Sequence, residues 1–120
     1  MSIATDIASL QIMAHVYKKA SLQSILEKTC ECLVNEVPYI DWVGIYLYEE
    51  NEKKLVAASN LENDLKWEMN GELTFPIKNS NGMEIGLLVV RSLEVIAFDV
   101  TDISTLKDIA QAIGEESLVN

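Results

Sequence analysis

The segment IDWVGIYLYEEN, residues 40–51, carries a period-two pattern. Successive side chains of an extended strand point to opposite faces. Val43, Ile45 and Leu47 therefore share one face, and Trp42, Gly44, Tyr46 and Tyr48 share the other. The first set is a core face. The second is aromatic with a gap at Gly44, where the missing side chain leaves room between two rings. Such a face can be a ligand floor, a partner surface or ordinary packing. Its β-branched and aromatic content predicts a strand over 41–48.

Outward from this strand, EENEKK (49–54) reads as a polar hairpin loop and 55–59 as an antiparallel second strand. Residues 60–70, NLENDLKWEMN, fit either one or two helical turns or a folded loop. A third strand is expected over 72–78, with Pro76 marking an edge or a bulge. NSNG (79–82) signals a hairpin, because Asn81-Gly82 suits positive φ angles. Residues 83–91 are nearly all apolar, which suits a central strand covered on both faces.

Helices flank the strands. Ile3, Ile7, Leu10, Met13 or Ala14, and Tyr17 keep the three-to-four spacing of a helix over 3–19. A second helix is expected over 21–36, capped by Ser21, with Leu22, Ile25, Leu26, Thr29 or Cys30, and Leu33 as its stripe. Pro38 ends it. Asp99 or Thr101 caps a last helix over 101–116, striped by Ile103, Leu106, Ile109, Ala110 and Ile113. The order α-α-β-β-loop-β-β-α predicts one α+β domain over 1–120, an antiparallel sheet with helices packed on one face.

Composition narrows the function. The 120 residues are 49% hydrophobic and 23% charged, a globular balance. No apolar run approaches the roughly 18–20 residues of a membrane span. The N-terminal MSIATDIASL lacks the basic-then-apolar pattern of a secretory signal, so a cytoplasmic location is the expectation. The net charge of −10, with no Lys/Arg run, disfavours a nucleic-acid partner. Cys30 and Cys32, with His15 as the one histidine, do not make a zinc set, and no metal is expected. Two helical residues two apart point about 200° from each other, so an intrahelical disulfide is not expected. One semi-buried and one more exposed thiol is the reading. His15 is read as a packed or exposed helix histidine, since no base or nucleophile accompanies it.

DWVGIYLYEEN…KLVAASN, then ELTFPIKNSNGMEIGLLVVRS, then AFDVTDISTLKDIAQAIG together resemble a GAF domain over about residues 20–114. The most telling parts are Trp42-x-Gly44-x-Tyr46, Pro76 followed by a hairpin into Ile85-Gly86, and Phe98 followed by Asp102 and a terminal helix. The resemblance implies an antiparallel sheet with terminal helices on one face and a roofed ligand pocket on the other. It implies sensory or dimerisation roles. The first strand is most similar to the enzymatic branch of free methionine-R-sulfoxide reductases. On that likeness, Trp42, Tyr46 and Glu72 fall at substrate-pocket positions. Two carboxylate positions of that branch are Val89 and Arg91 here, and its nucleophilic Cys has no counterpart in the short 60–71 segment. A thiolate has to reach the sulfoxide it attacks, so the resemblance argues against catalysis here.

The candidate ligand-binding set is thus Trp42, Tyr46, Glu72, Val89 and Arg91, with Leu65 and Trp67 as a lid. The alternative is that the aromatics simply pack under 61–69. Arg91 either pairs with Glu72 or Glu94, or holds a small anion bidentately. A lid this short cannot wall in a bilin, haem or cyclic nucleotide, so no cofactor is expected. Either the pocket is small or a partner covers the face. Ile3, Ile7, Leu10 and Met13 offer a helical surface for a homodimer. Any signal would then pass to a separate signalling protein.

Overall fold

The computed structural model describes residues 3–17 and 21–117. Three helices, α1 (Ile3–Tyr17), α2 (Leu22–Glu36) and α3 (Val100–Ser117), enclose four strands in the chain: β1 (Trp42–Glu49), β2 (Glu52–Ala58), β3 (Gly71–Lys78) and β4 (Glu84–Ser92). The strands form one antiparallel sheet in the order β2-β1-β4-β3. This is the expected α+β architecture. Apolar β4 lies inside the sheet, and β3, which holds Pro76, lies at its edge. An edge strand tolerates a residue without an N–H.

The alternation read in β1 is realised across the sheet. Val43 is level with Val90 and Leu73, and Ile45 with Leu88 and Phe75. These side chains join Leu26, Cys30 and Leu33 of α2 and Leu106, Ile109 and Ile113 of α3 in one core. α2 packs on β1 and β2, and α3 on β3 and β4. α1 touches α2 and α3 rather than the sheet, so it forms an outer layer.

That position leaves one stripe of α1 covered and another open. Thr5, Ala8, Ile12 and Val16 face inward, while Ile3, Ile7, Leu10 and Ala14 face outward. Met13 is half-buried against the core instead of joining the outward stripe. The helix is apolar on both sides, so spacing alone did not tell which stripe is covered. Residues 18–20, which complete the expected 3–19 helix and the turn into α2, lie outside the described residues.

Other expectations shift locally. The six-residue loop contracts to a two-residue turn at Glu50–Asn51, both at positive φ (53° and 69°), and β2 begins at Glu52. Mirror-image turns of this kind match the twist of paired strands. In the 79–82 turn only Gly82 has positive φ. The Asn79 side-chain oxygen there accepts from the N–H groups of Asn81 and Met83. Ser21 caps α2 through Ser24 N–H, and Asp99 rather than Thr101 caps α3 through Asp102 N–H. Both cysteines are buried, because α1 covers the side of α2 that carries Cys32; its thiol donates to Gln11 Oε1 at 3.4 Å.

Asp102 ties the helices to one another and to the α2–β1 connection. Its fully buried carboxylate accepts from Tyr39 Oη (2.7 Å) and Thr5 Oγ1 (3.0 Å) through Oδ1, and from Asp99 N–H (3.2 Å) through Oδ2. α1, the α2–β1 connection and the start of α3 thereby meet on one carboxyl group. Burial and the bond to Asp102 push the Tyr39 hydroxyl above its ordinary range.

Candidate functional site

The sheet face opposite the helices organises into rows. In register, Trp42 of β1, Arg91 of β4 and Glu72 of β3 form one row, and Gly44, Val89 and Thr74 the next. Tyr46, Leu87 and Pro76 form the third. The Trp42 row lies about 13 Å from the Tyr46 row, at ~3.4 Å per residue. Trp42, Glu72 and Arg91 therefore come together with Val89 beside them. Tyr46 stands apart, with the Lys53 ammonium 4.9 Å over its ring.

The gap at Gly44 is filled by Trp42 itself. A Cβ at residue 44 would lie 2.1 Å from Trp42 Cη2 and 2.7 Å from Cζ3. The indole thus folds forward onto the glycine two residues on, and is fully buried there. Its Nε1–H donates to Asn60 O at 2.8 Å. The space that period-two reading left for a visitor holds a neighbour's ring.

Arg91 closes the other side of that ring. Its guanidinium carbon sits 4.5 Å from the indole centroid, a cation–π stack. Nε–H donates to Glu72 Oε2 at 2.8 Å, and Nη1–H to Asp64 O at 2.9 Å. Asp64 Oδ2 lies 3.8 Å from the same Nη1. Arg91 is only 7% exposed. Burying a guanidinium without partners is costly, and two carboxylates, a carbonyl and a ring here replace the lost water. Of the two uses open to Arg91 in the sequence, the structure realises pairing with Glu72.

Asn60 and Asp64 were not singled out in the sequence, yet they tie the 60–70 segment to the site. Asn60 Oδ1 accepts from the N–H groups of Glu62 and Asn63, Asn63 Oδ1 from Leu65 and Asp64 Oδ1 from Lys66. Side-chain turns of this type replace a helix or strand ladder. The Asn/Asp density of NLENDL was the available signal. Leu65 adopts φ 58° and is half-buried. Trp67 is 89% exposed, with Lys66 Nζ 5.6 Å over its ring, so it does not roof Trp42. A turn closed by Met69 N–H on Leu65 O leads back to β4, where Asn70 N–H donates to Ser92 O, and Asp64 provides the contact to Arg91.

The thiols lie on α2, on the opposite side of the sheet. Burial, then Glu27, pushes the Cys30 thiol up to about 12. Burial raises Cys32 as well. His15 Nε2 is 2.9 Å from Ser24 Oγ, joining α1 to α2. Among the described residues, no group of three or more His, Cys, Asp or Glu side chains could hold a metal ion. None of the described helices is long and apolar enough to cross a membrane.

No protein-family model matches the sequence, and no curated protein matches it significantly. Solved structures do match. A candidate GAF sensor from Burkholderia vietnamiensis superposes with a TM-score of 0.80 at 14% identity, covering 96% of this chain and 94% of its own. The GAF domain of a phosphoenolpyruvate-protein phosphotransferase from Coxiella burnetii gives 0.79 at 16% identity, over 96% and 93%. A type II free methionine-R-sulfoxide reductase from Thermoplasma acidophilum gives 0.69 at 21% identity, over 78% and 89%. The chain has the GAF fold, as the sequence resemblance implied. Its structural neighbours include both GAF domains and reductases built on the same fold.

Proposed function

We propose that this GAF-fold chain is a non-catalytic interaction module that pairs with a second copy of itself through α1 and passes its state to a separate protein. The carrying observation is the outward face of α1. Ile3, Ile7, Leu10 and Ala14 recur at spacings of four, three and four and stand exposed on an outer helix. This is the seam spacing of paired helices, and small Ala14 permits close approach. A stripe offered by one copy is offered identically by the other, as a two-fold contact requires.

Charge favours the same occupant. A chain of net charge −10 repels its own copy over most of its surface. Between Ile3 and Tyr17 the one carboxylate is Asp6, on the flank of the stripe, and its Oδ1 accepts from Thr105 Oγ1 on α3 at 3.3 Å. The non-catalytic part of the reading is supported by the Trp42 face, filled by its own ring and ion pairs. It is also supported by two buried thiols that remain protonated at neutral pH on the other side of the sheet.

The test is an Ile7→Glu, Leu10→Glu variant examined by light scattering after gel filtration. Both positions are solvent-facing, so the circular dichroism spectrum stays that of the parent. The expected result is a dimeric parent and a monomeric variant. A variant that remains dimeric would refute the α1 interface.

One observation favours a second use of the Arg91 site. The Asp64 carboxylate is half-exposed and its 3.8 Å contact is long, so a small anion could take its place beside Nη1. Asp64→Ala would then gain thermal stabilisation from acetate or inorganic phosphate that Arg91→Ala lacks. Equal responses in the two variants would end that reading.

A further inference from the structure

A cleft of about 400 Å³ opens on a different part of the molecule, between α3, the outer edge of β3 and the β3–β4 turn. α3 lies directly on the end of β3. A Cβ at Gly114 would meet Lys78 O at 2.0 Å, so only a glycine lets the helix rest there. That contact closes one end of the valley. Phe75 and Pro76 supply an apolar wall, and Lys78, Lys107, Gln111 and Glu115 add a polar lining.

Four of the other described cations have partners of their own. Arg91 is buried between carboxylates, Lys54 pairs with Glu49, and Lys53 and Lys66 lie over aromatic rings. Like Lys28 on α2, Lys78 and Lys107 have no ion-pair partner among the described residues. They come from separate elements and border the same cavity. Against them stands one carboxylate, Glu115, which accepts from Gln111 Nε2 at 3.1 Å. The cleft is therefore net positive in a chain of net charge −10. Such a site concentrates anions that the rest of the surface repels.

The apolar component continues along α3. Val100, Ile103, Lys107 and Gln111 stand at i, i+3, i+7 and i+11, on one stripe of the helix. Val100 and Ile103 are both exposed. The stripe thus runs from apolar side chains to a cation. We propose that this cleft binds a small carboxylate with an apolar body, the carboxylate held by Lys78 and Lys107 and the body along Phe75 and Pro76. Its volume lies near the lower end of the roughly 300–1,000 Å³ typical of ligand pockets. The site shares no residue with the Trp42–Arg91 row or with the α1 seam, so it stands independently of the dimer.

The experiment is an amide NMR titration of the whole chain with octanoate, with 1-octanol and inorganic phosphate as controls. Octanoate is expected to give saturable shifts at Ser80, Lys107 and Gln111. Octanol, lacking the charge, and phosphate, lacking the body, are expected to bind at least about tenfold more weakly. A Lys78→Gln, Lys107→Gln variant, its fold verified by unchanged resonances elsewhere, is expected to lose about tenfold in affinity. Glu115→Gln is expected to gain about threefold. Absent shifts, shifts centred on Trp42 or the α1 stripe, undiminished affinity in the double variant, or octanol or phosphate binding as well as octanoate would each overturn the proposal.

Discussion

The behaviour of the sheet face turns on a glycine and a tryptophan two residues apart. Because the indole lies on Gly44, any Cβ there has to displace the ring or the strand. Gly44→Ala is expected to cost about 2 kcal/mol, in the range of overpacked cores. Urea unfolding followed by fluorescence would measure it. A Trp67→Phe background, which removes an exposed ring, isolates the Trp42 signal. Cys30 offers a second check at this scale. Its thiol is raised from 9.0 to about 12 by burial, so the folded state favours the protonated form. The resulting stabilisation is complete below pH 9 and is lost as pH climbs toward 12. Relative to Cys30→Ala, the parent should lose stability as pH rises past 9, seen in paired unfolding curves at pH 8 and 10. Curves that stay parallel would mean the thiol ionises as freely in the fold as outside it.

Among elements, α1 has one fully buried polar anchor. It rests on other helices and not on the sheet, and its Thr5 hydroxyl meets Tyr39 on the buried Asp102 carboxylate. Asp102→Ala removes an acceptor shared by the buried Thr5 hydroxyl and the half-buried Tyr39 hydroxyl. It is expected to cost about 3 kcal/mol. Hydrogen exchange should show α1 protection falling more than that of β1 or β4. Uniform loss across all elements would mean that the carboxylate serves global stability and not the placement of α1. The charged variant of Ile7 and Leu10 tests the opposite face of the same helix, where assembly and not folding is at stake.

For the molecule as a whole, the readable and unreadable parts of the sequence separate by physical cause. The sheet was legible because alternation in β1, the unbroken apolar run of β4 and Pro76 in β3 each restrict strand position in a different way. The register then follows, and it brings Trp42, Arg91 and Glu72 into one row. Period two located the gap at Gly44 but carried no rotamer, so it could not reveal that Trp42 fills it. On α1, spacing placed Ile3, Ile7 and Leu10 on one stripe but did not tell that Ala14 and not Met13 completes it, because both faces of the helix are apolar. Asn60 and Asp64 escaped notice because their roles come from local side-chain turns and from a backbone carbonyl of each, which leave no periodic trace. Tyr46 was grouped with Trp42 by face alone, although the Gly44 row lies between them.

The central claim, that α1 joins two copies, is tested most directly by sedimentation equilibrium of the unmodified chain at concentrations up to about 100 μM, where specific interfaces of ordinary affinity are filled. The account expects a mass of about 27 kDa, twice the 13.4 kDa chain, with dissociation on dilution governed by the α1 stripe. A mass of 13.4 kDa at every concentration would contradict it.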